Sequence, residues 1–146
     1  MNVRTAKEDD IDALLLIEQT CFGPERFYRP YIKGLMSLKA ADLLVGTVKE
    51  SVIASAMVMH YAALGRSHLL SLATLPSHQG KGFSRRMLIK AEELARGRGS
   101  SSMSLEVRKA NSPAIRLYEG QGYSTIGDLA DFFGPREDAW RMEKDL

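Results

Sequence analysis

The chain has 146 residues, 45% of them hydrophobic, which suits one domain with a core that needs neither disulfides nor a structural metal. Its formal net charge of +2 comes from nearly balanced acids and bases, which excludes a general attraction to nucleic acid or anionic membrane and leaves any anion site local. The lone Cys21 excludes an internal disulfide, the charged start MNVRTAKEDDID carries no signal-peptide core, and the longest apolar stretch, Val52 to Met59, falls short of the roughly 20 residues that span a bilayer, so a soluble, cytoplasmic protein is expected.

Val3-Arg4-Thr5 reads as an opening strand, and Thr5-Ala6-Lys7-Glu8 has the S/T-x-x-E spacing in which two side chains satisfy the free amides of a helix start. Ile11, Leu14, Leu15 and Glu18 follow at helical intervals until Gly23-Pro24 breaks the run, and Tyr31 to Leu38 suggests a second short helix. Leu43 to Val48 and Val52 to Tyr61 are β-rich runs joined by Lys49-Glu50-Ser51, a predicted hairpin. Leu69 to Leu75 is almost continuously apolar, as expected of a central strand covered on both faces, and Pro76 ends it.

Beyond a glycine turn at Gln79 to Ser84, the residues Met87, Leu88, Ala91, Leu94 and Ala95 predict a helix that exits at Gly97 and Gly99. Met103, Leu105 and Val107 alternate with Ser104 and Glu106 in a strand pattern. Asn111-Ser112-Pro113 supplies a capping residue and an early proline for a short helix that closes at Gly120. Tyr123 to Gly127 and Ala139 to Glu143 predict two final strands around a long loop. The order β-α-α-β-β-β-α-β-α-β-β describes a mixed α/β sheet, with no internal repeat or linker, and a single domain over residues 1–146 is expected.

A turn that leaves a central strand and enters a helix through glycines presents backbone N–H groups at the positive end of the helix dipole. Gly80 and Gly82 permit the dihedral angles that such a cradle needs, and Lys81, Arg85 and Arg86 add positive charge. The string G-x-x-x-x-G-K-[ST] of a nucleoside-triphosphate loop does not occur. A dinucleotide fingerprint fits poorly, because Gly80-x-Gly82 is followed by Arg85 and lies midway along the chain. On the glycines alone, a tight connection without a ligand remains an equal alternative.

Two blocks resolve the choice by resemblance. Leu72-Ala73-Thr74-Leu75-Pro76 with Gln79-Gly80-Lys81-Gly82-Phe83-Ser84 is similar to the strand and Q/R-x-x-G-x-G/A turn of the GNAT superfamily of acyl-CoA N-acyltransferases, with Ser84 in place of the usual small apolar ending. Leu105-Glu106-Val107-Arg108-Lys109-Ala110-Asn111, Ala114-Ile115-Arg116-Leu117-Tyr118-Glu119 and Gly122-Tyr123 resemble the RimI-type protein N-terminal acetyltransferases. The resemblance spans the chain, in outline only from Gly23 to Ala41. It implies a central mixed sheet of about six to seven strands and about four helices, splayed between the strand ending near Thr74 and the strand carrying Glu106. Acetyl-CoA (coenzyme A) is the implied cofactor, held by Leu72, Ala73, Thr74, Gln79, Gly80, Lys81, Gly82, Phe83, Ser84, Arg85, Asn111 and Tyr118.

Acetyl transfer from a thioester to an amine needs a neutral amine, a stabilised oxyanion and a protonated leaving thiolate. Glu106, the only acid of its strand, is the candidate base acting through water, its carboxyl raised by burial; periodicity alone reads it as solvent-facing. Tyr118 is the candidate acid for the thiolate, or otherwise a core tyrosine beside Ile115 and Leu117. A backbone amide near Leu72 to Thr74 would serve the oxyanion. Asn111 suits a helix cap, the cofactor arm, or both.

Cys21 reads as a buried structural thiol, and His60, His68 and His78 lack metal-ligand spacing, so no metal is expected. Phe132-Phe133 resembles an aromatic pair that borders the acceptor site in this group, with ordinary hairpin packing as an equal alternative, and Phe27 and Tyr28, with Glu25 and Arg26, are the candidates for the opposite wall. The expected acceptor is a primary amine, first a protein or peptide N-terminus. A small amine or polyamine is the alternative, and a catalytically silent acyl-CoA-binding module is the rival of a different class. No nucleic-acid partner is expected.

Overall fold

The computed structural model describes residues 1–146. Its elements are β1 (Asn2–Thr5), α1 (Ile11–Phe22), α2 (Arg29–Met36), β2 (Ala41–Val48), β3 (Ser51–Tyr61), β4 (Arg66–Thr74), α3 (Phe83–Gly97), β5 (Ser102–Arg108), α4 (Ser112–Gly120), β6 (Ser124–Leu129) and β7 (Ala139–Asp145). The order is the one expected from the sequence. The seven strands form one mixed sheet, β1-β2-β3-β4-β5-β7-β6, in which every neighbouring pair is antiparallel except β4 and β5.

Period-two alternation divides the core between the two faces of this sheet. Leu44 of β2 and Ala54, Ala56 and Val58 of β3 face Met87, Leu88, Ala91 and Ala95 of α3. Their neighbours Leu43, Val45 and Met57 face Leu14 of α1 and Ile32 and Leu35 of α2. Each large side chain removed from water in this way contributes about 1.5–3 kcal/mol. No helix is long and apolar enough to cross a membrane.

Local sequence accounts for most boundaries. Asn111 caps α4, its Oδ1 accepting from the Ala114 amide at 3.3 Å. α3 ends in a left-handed residue, Gly99, with Ser100 N–H donating to Ala95 O at 3.0 Å and Gly99 N–H to Arg96 O at 2.9 Å.

The first helix departs from expectation. Thr5 stays in β1, and a 3₁₀ turn (Glu8–Asp10) precedes α1. The capping carboxylate is that of Asp10, which accepts from the Lys7 amide at 2.7 Å and pairs with Arg4 at 2.7 Å. The Thr5 box fails because Thr5 pairs with Leu44 in the sheet. The hairpin between β2 and β3 places Lys49 and Glu50 at φ 50° and 70°, although neither is a residue that favours this region.

Candidate active site

The sheet opens at its only parallel junction. β4 and β5 pair from Arg66↔Ser102 to His68↔Ser104 and then part. β3 stays with β4 as far as Thr74, and β7 stays with β5 as far as Arg108, so the gap lies between two firmly held strands. Leu75 N–H donates to Ile53 O at 2.8 Å, which turns the peptide groups of Ala73 and Leu75 toward β3. By alternation, Leu72 and Thr74 turn theirs toward the gap.

Past Thr74 the chain enters the glycine turn. Gly80 and Gly82 adopt φ 77° and 79°, the left-handed region, with open space where a Cβ would stand. The glycines therefore serve the backbone angle and not a steric contact within the protein. The amides from Gly80 to Arg85 make no hydrogen bond within the chain; the first intrahelical donor is Arg86, to Gly82 O at 3.2 Å. The loop is braced by Gln79 Nε2, which donates to Thr74 O at 2.9 Å, and by Ser84 Oγ, 2.7 Å from Thr74 Oγ1.

A cavity of about 540 Å³ follows this turn; Leu72, Ala73, Thr74, Gln79, Gly80, Gly82, Phe83, Ser84, Arg85, Asn111 and Tyr118 all line it. Lys81 is exposed and does not line it. Arg86 points elsewhere, donating to Met1 O at 2.8 Å. Free amides, an open cradle and an unpaired strand edge fit a pyrophosphate joined to an extended amide-bearing arm.

A second cavity, about 380 Å³, lies on the other side of the gap and shares Cys21, Phe22, Leu72, Asn111, Ala114 and Tyr118 with the first. Glu106 stands in its wall. The carboxylate bonds His68 Nε2 at 2.8 Å and accepts from Arg141 Nε at 3.1 Å, while His68 Nδ1 lies 2.6 Å from Ser104 Oγ. Burial acts to raise the Glu106 carboxyl, but the hydrogen bonds and charges of His68 and Arg141 outweigh it and hold the group below its ordinary value. This corrects the expectation that burial makes Glu106 a raised-pKa base. The cause is tertiary, since His68 is 38 residues away and Arg141 35.

Tyr118 sits where the two cavities meet. Burial drives its phenol well above the ordinary tyrosine value, so it stays protonated, and its hydroxyl makes no hydrogen bond within the chain. Its ring packs edge-on against Tyr123 at 5.8 Å, and Tyr123 donates to buried Glu92 at 2.8 Å, which also accepts from Lys144 Nζ at 2.9 Å. Asn111 lines both cavities while its Oδ1 caps α4, so its Nδ2 donors are left for a ligand.

Cys21 is half-buried at the same junction and not an enclosed core thiol. Its Sγ is 3.5 Å from Thr74 O, and burial, then the charge of Glu18, raises its pKa, which disfavours a thiolate nucleophile.

The second cavity is bounded by Phe27, Phe132 and Phe133 among the expected acceptor residues, and Glu25 joins them. Tyr28 does not line it; the side chain is 54% exposed beneath the Arg26 guanidinium. The aromatic of this segment that turns inward is its neighbour Phe27. Glu18 is the residue that the sequence left in an ordinary helix stripe. It is 1% exposed, accepts from the Phe27 amide at 2.8 Å and from Ser71 Oγ at 2.7 Å, and burial raises its carboxyl against those two bonds. An acid at a helical apolar position was the available signal. Neither its two donors nor the His68–Glu106 contact could be read from spacing. No group of three or more His, Cys, Asp or Glu residues is arranged to hold a metal.

The Acetyltransferase (GNAT) family model matches residues 11–123. The chain is 29% identical to an N-alpha-acetyltransferase of Saccharolobus solfataricus, over 99% of this chain and 92% of that one. It is also 29% identical to the [ribosomal protein bS18]-alanine N-acetyltransferase of Haemophilus ducreyi, over 94% of each. The crystal structure of Ard1 from Thermoplasma volcanium superposes with a TM-score of 0.90 at 23% identity, covering 99% of this chain and 97% of that one, and so shares the fold.

Proposed function

The chain belongs to the acetyltransferase (GNAT) family and is an acetyl-CoA-dependent N-acetyltransferase, and from that premise we propose that its acceptor is the α-amine of a protein or peptide N-terminus. The observation that carries this reading is the pair of cavities meeting at Tyr118, one along an open strand edge and glycine turn, the other walled by Glu106 and phenylalanines. The two N-terminal acetyltransferases described above, similar over nearly the whole chain, support the choice of acceptor.

The cofactor supplies an acetyl thioester and a coenzyme A thiolate as leaving group. The amides of Gly80 to Arg85 would hold its pyrophosphate, and the Leu72 and Thr74 peptide groups its arm. Glu106 with His68 takes the proton that the attacking amine loses, directly or through water, since both side chains line the acceptor cavity. Holding Glu106 ionised keeps it able to receive that proton, and the His68 imidazole bonded to it fixes where the carboxylate points. An amide turned into the gap at Leu72 or Thr74 would stabilise the oxyanion. Burial keeps the Tyr118 phenol protonated, and it would be the group to donate a proton to the leaving coenzyme A thiolate.

A polyamine acceptor would be favoured by free acids along the cavity. Glu18, Glu25 and Glu106 are present there, but each is already committed: Glu18 to Phe27 and Ser71, Glu25 to Arg108, Glu106 to His68 and Arg141. The peptide reading therefore stands ahead. Thiol release from acetyl-CoA, measured against N-terminal peptides, lysine peptides, polyamines and small amines, tests it. Highest kcat/KM is expected for N-terminal peptides, and a preference for polyamines would overturn the assignment.

A further inference from the structure

Two walls of the acceptor cavity meet at one guanidinium. Arg108 closes β5 two residues after Glu106 and on the same face. Its Nη2 lies 2.6 Å from Glu25 Oε1, in the turn after α1, and its Nη1 bonds Glu137 Oε2, in the loop between β6 and β7. Its Cζ stands 4.7 Å from the centre of the Phe133 ring, on that same loop. The three charged side chains are 28–44% exposed, so the junction lies at the cavity mouth and not in its floor.

We infer that Arg108 is a positioning residue for the acceptor: it straps the α1–α2 wall to the β6–β7 loop and sets the opening through which a peptide N-terminus reaches Glu106. The inference rests on the assignment of this cavity to the acceptor. Guanidinium chemistry suits the role, because a planar fork can hold two carboxylates at once while one face covers an aromatic ring; an ammonium cannot do both. Without it, Glu25 and Glu137, which come together on this one guanidinium, would be two neighbouring like charges with no cation between them. A chain extending out of the cavity must pass this strap, whereas a small amine is enclosed beyond it.

The test is steady-state kinetics of wild type, Arg108→Gln and Arg108→Lys with an N-terminal peptide, a small primary amine and acetyl-CoA as varied substrates. The peptide KM is expected to rise about tenfold in Arg108→Gln, with a smaller change in kcat and a smaller rise for the small amine. Lysine should recover only part of the loss. Glu25→Gln with Glu137→Gln removes the strap from its other end, should reproduce the peptide KM rise, and should make a further Arg108→Gln change nearly silent. That double variant also carries the test if Arg108→Gln does not fold. An unchanged peptide KM, or an equal rise for the small amine, would overturn the strap while leaving the peptide assignment intact. Absence of peptide turnover by the wild type would overturn both.

Discussion

The imidazole of His68 bridges the point where the two central strands separate, with Nε2 2.8 Å from Glu106 Oε1. His68 is also the last residue of β4 in register with β5, opposite Ser104. One side chain thus joins the sheet's opening to the carboxylate expected to receive the amine proton.

Glu106→Gln should lower kcat by about 10²-fold or more, the usual scale of a general base, while leaving stabilisation by acetyl-CoA intact. Because Glu106 titrates below its ordinary 4.5, its ionisation should set no activity limb between pH 6 and 9. The sign for stability follows: a depressed folded pKa adds stability that is present above 4.5 and lost as pH falls through the folded value. Full turnover by the variant across pH 6 to 9 would remove Glu106 from the mechanism.

Tyr118→Phe should reduce kcat by about 10²-fold with little change in the KM for acetyl-CoA, since it deletes the proposed proton donor and keeps the ring that packs on Tyr123. Burial raises the phenol above 10.0, so no alkaline loss of wild-type activity should arise from it below that pH. Rapid-mix single-turnover measurement separates this from a change in product release.

Gly82→Ala should destabilise the protein by about 1 kcal/mol, because an L side chain is strained at its φ of 79° even though the space is open. Gly82→Asp adds a negative charge to the free amides and should abolish the thermal shift that acetyl-CoA produces. For the wild type, acetyl-CoA at 100 times its Kd should stabilise by about 2.7 kcal/mol. Retained affinity in Gly82→Asp would show that the turn holds no anion.

Glu18→Ala should cost about 1–3 kcal/mol, the scale for leaving buried donors unpaired, here the Phe27 amide and Ser71 hydroxyl. The pH dependence runs opposite to that of Glu106. Glu18 holds its proton more tightly in the folded state, so its contribution to stability falls as pH rises from 4.5 through the raised folded value. Denaturant melts of wild type and Glu18→Ala between pH 4.5 and 8 should therefore differ in slope, and parallel curves would refute the linkage.

Element order, the caps at Asn111 and Gly99, and the glycine turn were legible in the sequence because each depends on residues within a few positions of one another. The same locality made the family readable, since both motif blocks are contiguous. The resemblance, and not spacing, pointed to Glu106 and Tyr118 as candidates, since periodicity alone reads the first as solvent-facing and the second as a core tyrosine. Spacing misassigned the capping box at the helix start, where strand pairing took Thr5 and the Asp10 carboxylate closes a 3₁₀ turn ahead of α1 by accepting from the Lys7 amide. Sequence alone placed both Phe27 and Tyr28 at the acceptor site, whereas only Phe27 lines the cavity, because which of two adjacent aromatics turns inward depends on how the α1–α2 turn packs.

By itself, then, the sequence determined the fold, the transferase family and the residue types available for proton transfer. Tertiary structure alone decided how those residues are charged and partnered: Glu106 lowered by His68 and Arg141, Glu18 raised in a closed site, Arg108 held between two walls. The physical reason is that a titratable group responds to burial and to charges within a few ångströms, and those neighbours come from strands and loops far apart in the chain.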